Sequence, residues 1–227
     1  MIDDLLPKTV SCADTRTDDV PSGALFPEEA SLVVTSVPQR RREFTSVRVC
    51  ARLAMADLGL PPVPVLPGPR GEPGWPEGVV GSMTHCAGYR AAAVARSSDI
   101  RSLGIDAEPH RPLPGDVLEA IALPAERGRV LRAARSGTDD GDIHWDRLLF
   151  SAKESVYKAW FPLTGARLEF EDADIEFRRT PGTTPGGVFH ARLLRTAPGA
   201  PAAFDGRWLV RDSLALTAVV VPAQAAA

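Results

Sequence analysis

Asp106, Glu108, Glu154 and Lys158 are the residues of this chain best suited to do chemistry. In Gly104-Ile105-Asp106-Ala107-Glu108 the two carboxylates are two residues apart, so on an extended strand both leave the same face. In Lys153-Glu154-Ser155-Val156-Tyr157-Lys158 the glutamate and the second lysine are four apart, so on a helix one stands above the other. Brought together, these segments offer three hard oxygen donors for Mg²⁺ with the ammonium groups of Lys153 and Lys158 beside them. Mg²⁺ commonly binds a few carboxylates, water and substrate phosphate oxygens, so the set suits a phosphate-bearing substrate. The chemistry implied is phosphoryl-type transfer from a bound nucleotide or coenzyme. Each segment alone also has a plainer reading: a D-x-E on a solvated edge strand, and a Glu–Lys pair at the commonest surface salt-bridge spacing. Leu103, Ile105 and Ala107 flank the first, and Phe150, Tyr157, Trp160 and Phe161 surround the second, which suits buried rather than solvated segments.

Two further groups bear on phosphate. Gly81-Ser82-Met83-Thr84-His85-Cys86 ends a strand-like run with hydroxyls and an imidazole, able to donate to phosphate or to act as an acid near neutral pH. Arg40, Arg41, Arg42, Arg48 and Arg52 crowd one helix with Glu43 as the only nearby offset. They read either as a solvated basic face or as a clamp for a terminal phosphate, with Arg70 able to join it. No P-loop, GxGxxG or nucleophile elbow occurs.

The elements that must position these residues follow from periodicity and breakers. Residues 1–27 have few periodic apolar positions and read as a loosely attached arm. Phe44, Val47, Val49, Ala51, Leu53, Ala54 and Leu58 predict a helix over Pro38–Leu60, closed by Gly59 and Pro61. A Pro/Gly-rich loop occupies 61–78. Strands are expected at 79–84, 89–96 and 101–107, and helices at 115–121 and 124–135. A turn is expected at Thr138-Asp139-Asp140-Gly141-Asp142. Trp145, Leu148, Leu149, Ala152, Val156, Ala159 and Trp160 predict a second long helix over His144–Phe161. Strands are then expected at 172–178, 187–194, 207–211 and 213–221, the last pair turning at Arg211-Asp212. The fold class is α+β: two similar α/β subdomains, 1–103 and 104–227, in a pseudo-twofold arrangement. The site is expected at their interface, a common location for small-molecule sites.

Composition excludes several classes. At 227 residues, 44% hydrophobic and 24% charged, the chain is ordinary for a globular protein with a sizeable core. A net charge of −3 and a pI near 5.8 lack the basic footprint of a nucleic-acid binder. Cys12, Cys50 and Cys86 form no CxxC pair, which argues against a disulfide scaffold or zinc site and fits a reducing cytosol. Met1-Ile2-Asp3-Asp4 does not open a signal peptide, and the longest apolar run, near Leu214–Val221, is too short to span a bilayer. The expectation is a soluble cytoplasmic protein with neither nucleic acid nor membrane as partner.

Four segments in order carry a family resemblance: Arg70-Gly71-Glu72-Pro73 with Trp75-Pro76; Gly81–His85; Gly104–Glu108; and Phe150-Ser151-Ala152-Lys153-Glu154-Ser155-Val156-Tyr157-Lys158. Over roughly residues 36–221 the chain resembles the 4′-phosphopantetheinyl transferases, in the Sfp/EntD-like branch of pseudo-dimeric monomers and closest to actinobacterial members. Phe150 stands where the family often has Trp, which keeps an aromatic. Pro67 stands where a basic residue is often found, so part of the coenzyme clamp is weaker here or is taken over by Arg70. The resemblance implies transfer of 4′-phosphopantetheine from coenzyme A to a serine of apo acyl or peptidyl carrier proteins. It places Mg²⁺, or Mn²⁺, on Asp106, Glu108 and Glu154, and makes Glu154 the best candidate to deprotonate the serine. Lys158 would steady the pyrophosphate, in which Asp106 also takes part through the metal, and Lys153 would add a phosphate contact. Arg40, Arg48, Arg52 and His85 would hold the 3′-phosphate, with Ser82, Met83 and Thr84 lining the nucleotide. The carrier is expected to dock on Val117–Arg135. A metal-dependent nuclease and a non-catalytic coenzyme A sensor are the alternatives. The acidic pI opposes the first and the full carboxylate set the second.

Overall fold

The computed structural model describes residues 1–21, 23–135, 143–182 and 184–223; the turn expected at 138–142 lies outside them. The chain divides into two compact units. One runs from Met1 to Leu103 and takes in the chain from Pro222; the other is Gly104–Val221.

The first unit contains strand β1 (Ser11–Thr15), helices α1 (Pro27–Leu32) and α2 (Pro38–Asp57), a short hairpin of β2 (Leu66–Pro67) and β3 (Pro73–Gly74), and strands β4 (Val79–Cys86) and β5 (Tyr89–Arg96). The main sheet has the order β1-β5-β4, antiparallel throughout. Helix α2 starts with Pro38 in its first turn, where a missing N–H costs nothing, and is followed by Gly59 at φ +70°, a left-handed position that favours glycine. It buries Val47, Cys50, Ala51, Ala54 and Met55, a three- and four-residue repeat, and Cys50, Ala51, Ala54 and Met55 pack with Val79, Ala92 and Val94 of the sheet. Leu53, expected in the core, is 58% exposed, on the far side of the helix.

The amino-terminal arm is not loose. Strand β1 pairs along its length with β5, from Ser11 opposite Val94 to Thr15 opposite Arg90, and Ile2 and Leu5 are buried. Asp14 accepts from the Tyr89 hydroxyl at 2.9 Å, and Asp18 pairs with buried Arg90 at 2.8 Å. Five residues of mixed polarity carry almost no strand signal; the free edge of β5 supplies their partner.

The second unit contains α3 (Val117–Ile121), α4 (Pro124–Arg135), α5 (Trp145–Thr164), β7 (Ala173–Arg179), β8 (Gly186–Leu193), β9 (Ala203–Arg211) and β10 (Leu214–Pro222). Strand β6 (Ile100–Pro109) crosses the division between the units. The sheet order is β6-β10-β9-β8-β7: an antiparallel meander from β7 to β10, with β6 laid against β10. The β9–β10 turn places Asp212 and Ser213 at φ +50° and +62°, the two left-handed residues of a tight hairpin turn. Helix α5 buries Leu148, Leu149, Ala152, Val156, Ala159 and Trp160, which pack in one cluster with Ile175, Phe189, Trp208 and Ala215. No helix among the described residues is long and apolar enough to cross a membrane.

Candidate active site

The second unit assembles the carboxylates. Strand β6 carries Asp106 and Glu108, and α5 carries Glu154 and Lys158. Gly104 permits the approach of the two elements. A Cβ there would fall on the Ser155 carbonyl oxygen and 2.7 Å from the Ala159 nitrogen, so only glycine lets the helix backbone lie this close. At that contact Lys158 Nζ reaches Asp106 Oδ1 at 2.7 Å and the Ile105 carbonyl at 3.1 Å. Asp106 is 4% exposed. Glu108 accepts on Oε2 from Arg147 Nη1 at 2.9 Å, and Arg147 stands in the first turn of the same helix.

The charges strain against one another. Burial, then the negative charge of Asp106, pushes the Glu108 carboxyl above its ordinary range, against the pull of Arg147 and Lys158. Burial likewise pushes Glu154 up, with Lys158 opposing and Asp106 adding to the rise. Three carboxylates against Lys158 and Arg147 leave one negative charge in excess in a partly desolvated place. The donor set is all oxygen, which suits a hard divalent cation rather than zinc. With Glu108 bonded to Arg147 and Asp106 to Lys158, no three His, Cys, Asp or Glu side chains among the described residues form a ready metal site. One oxygen of Glu108 is engaged by Arg147, and its other oxygen is the one left for a cation.

Lys153, expected as a phosphate contact, is turned into the core. It is 3% exposed, and its three N–H donors go to Glu126 Oε2 at 2.8 Å and to the Phe170 and Ala173 carbonyls. Glu126, itself buried, also accepts from the Leu123 and Ile175 backbone N–H groups, so the pair fastens α4, α5 and β7 together. A helix advances about 100° per residue, so Lys153, next to Ala152, falls on the flank of the apolar stripe and away from Glu154.

In the first unit Arg40 Nη1 lies 3.0 Å from His85 Nε2, which joins two of the residues expected at the 3′-phosphate. Arg48 and Arg52 both turn to Glu29, a fully buried carboxylate. Arg52 binds both Glu29 oxygens, at 3.0 and 3.1 Å, and the Ala24 carbonyl. Arg48 donates to the Val65 carbonyl at 3.1 Å, and burial pulls its guanidinium down to about 10. Three guanidiniums against one carboxylate leave two positive charges in excess. Arg70 is exposed in the loop between β2 and β3. Ser82 and Thr84 are buried on the opposite face of β4 from Met83 and His85, so the four side chains do not form one wall.

Sequence reasoning missed Arg147, Glu126 and Glu29. Glu126 and Glu29 had a local signal: each lies in the first turn of a helix behind a proline, where an acidic side chain caps free N–H groups. Arg147 had none, since its partners lie 35, 36 and 39 residues upstream.

Residues 28–95 match the model of the 4′-phosphopantetheinyl transferase N-terminal domain, and residues 102–206 match that of the 4′-phosphopantetheinyl transferase superfamily. The chain is 52% identical to 4′-phosphopantetheinyl transferase Svp of Streptomyces mobaraensis, over 99% of this chain and 91% of that protein. The chain belongs to the 4′-phosphopantetheinyl transferase family. It is also 53% identical to 4′-phosphopantetheinyl transferase PptT of Mycobacterium tuberculosis, over 89% of this chain and 88% of that protein. Similarity to enterobactin synthase component D of Salmonella typhi is lower, at 30% over 54% of the chain and 49% of that protein. The second matched range contains Asp106, Glu108, Glu154 and Lys158 together, and the first contains Arg40 and His85.

Proposed function

We propose that this chain transfers the 4′-phosphopantetheine group of coenzyme A to a serine of apo acyl or peptidyl carrier proteins and releases adenosine 3′,5′-bisphosphate. The observation that carries the reading is the β6–α5 contact, where Lys158 is bonded to Asp106 with Glu154 one turn away, in a chain of this family. The serine oxygen forms a bond to the β-phosphorus while the bond from that phosphorus to the bridging oxygen breaks. Glu154 takes the serine proton, a role suited to a carboxylate within reach of the hydroxyl. Lys158 faces the negative charge that builds on the leaving oxygens, a role electrostatics makes most valuable in a partly buried place. Asp106, Glu108 and Glu154 would hold Mg²⁺, which when bound neutralises the pyrophosphate.

In this reading the arginine group of the first unit takes the coenzyme's 3′-phosphate. Arg40 and His85 are the direct contacts, and Arg48 and Arg52, held by Glu29, supply the surrounding positive field. The two subdomains take the pseudo-twofold arrangement the resemblance implies, and the enzyme acts as a cytoplasmic monomer without nucleic acid or membrane. The carrier docks along Val117–Arg135. Arg127 is paired with Glu119 and Arg129 with Asp174, so Arg132 and Arg135 carry the exposed charge of that segment. The test is to incubate the protein with coenzyme A, Mg²⁺ and an apo carrier and to weigh the carrier. A gain of one phosphopantetheine on the serine supports the reading. An unchanged carrier, with coenzyme bound, would leave a coenzyme A sensor instead.

A further inference from the structure

Arg147 occupies a place that local preferences do not favour. It is a cation in the first turn of α5, where the helix dipole is positive, and it is 8% exposed. Its fork is fully directed. Nε donates to the Arg111 carbonyl at 3.1 Å, Nη2 to the Pro112 carbonyl at 3.1 Å, and Nη1 to Glu108 Oε2 at 2.9 Å. Three acceptors on three sides of a planar guanidinium fix its orientation, so the Glu108 oxygen it meets is fixed as well. Arg147, Glu154 and Lys158 are seven and four residues apart, which puts them on one face of one helix. The rod that carries Glu154 therefore also sets where Glu108 points.

We propose that Arg147 is a positioning residue, holding the Glu108 carboxylate by one oxygen so that the other is presented to the divalent cation. The inference rests on the reading of Glu108 as a metal ligand given above. Partners that orient metal-binding carboxylates matter to affinity almost as much as the ligands do, and their loss typically weakens binding by about 10- to 100-fold. The strand end does not depend on Arg147 alone. The His144 N–H donates to His110 Nε2 at 2.9 Å and the Leu113 N–H to Asp146 Oδ2 at 2.7 Å, and neither bond involves Arg147.

The experiment is Mn²⁺ binding followed by electron paramagnetic resonance, with coenzyme A saturating and no carrier present. The proteins are wild type, Arg147→Met, Glu108→Gln and the double variant, each with its melting temperature. Arg147→Met is expected to bind Mn²⁺ at least about tenfold more weakly. In the Glu108→Gln background the same change should add less than about twofold, because its route to the metal is already gone. A loss that repeats in full in that background would make Arg147 a general structural residue and overturn the proposal, as would wild-type affinity in Arg147→Met. If Arg147→Met does not fold, Arg147→Lys, which keeps the charge on one nitrogen but loses the planar fork, enters the same cycle with a smaller loss expected. Wild-type Mn²⁺ affinity in Glu108→Gln, with Arg147 intact, would sink the underlying ligand assignment, an outcome distinct from the other two.

Discussion

Replacing Gly104 by alanine tests how tightly α5 is set against β6. The added Cβ would lie 2.7 Å from the Ala159 nitrogen and closer still to the Ser155 carbonyl oxygen. Ordinary contact begins near 3.4 Å, so the first neighbour must retreat by about 0.7 Å and the second by more. Both are backbone atoms of α5, so no side-chain rotation relieves the clash; the helix or the strand moves by about 1 Å. Overpacking of this kind costs about 1–3 kcal/mol, and rigid backbone on both sides argues for the upper end. For a chain of this length that lowers the melting temperature by about 6–12 °C. The same shift separates Glu154 and Lys158 from Asp106, and a misplacement of about 1 Å costs on the order of 100-fold in rate. The assay is kcat with coenzyme A, Mg²⁺ and a saturating apo carrier, read beside thermal unfolding. A variant that melts lower but keeps wild-type kcat would refute the claim that this contact sets the catalytic geometry. Unchanged values of both would refute the packing itself.

Lys153→Met leaves the buried Glu126 carboxylate without its ammonium, which should cost about 3–5 kcal/mol of stability while KM for coenzyme A in the folded protein stays at the wild-type value; a raised KM with an unshifted melting temperature would return Lys153 to the phosphates. Arg40→Ala and His85→Ala should each raise KM for coenzyme A by about tenfold with little change in kcat, and should have little effect with 3′-dephospho-coenzyme A. Equal losses toward both coenzymes would remove them from the clamp. Burial and Asp106 hold Glu108 and Glu154 above the ordinary glutamate range, so both protonate early as the pH falls. Metal binds the ionised carboxylates, so metal affinity should fall on acidification, and the acid limb of the rate profile should move to lower pH as Mg²⁺ rises. An acid limb indifferent to Mg²⁺ would dissociate these glutamates from the metal.

Periodicity was enough for the elements that bury a stripe or an alternating face. Helices α2 and α5 and strands β4 to β10 each lie within a few residues of where apolar spacing and breakers put them, since those patterns report burial directly. Strand β1 and helix α1 escaped because they are short and polar, and they are held by partners distant in sequence, β5 and Arg52, rather than by an apolar pattern of their own. Leu53 shows the limit from the other side: an apolar residue at a helical spacing that the packing leaves exposed.

The sequence by itself determined which residue types were available for chemistry: a carboxylate pair at strand spacing, a Glu–Lys pair at helix spacing, and a basic helix with a histidine. Residue type and spacing are local properties, so they survive without coordinates. Which carboxylate each lysine meets was a tertiary decision. Lys158 reaches Asp106 because Gly104 lets α5 touch β6, while Lys153 turns to Glu126, 27 positions away in sequence. The arginines divided in the same way: Arg40 meets His85, whereas Arg48 and Arg52 answer a buried carboxylate. Charge in a sequence carries no partner. Only the packed chain, where every buried ion must find its opposite, assigns one.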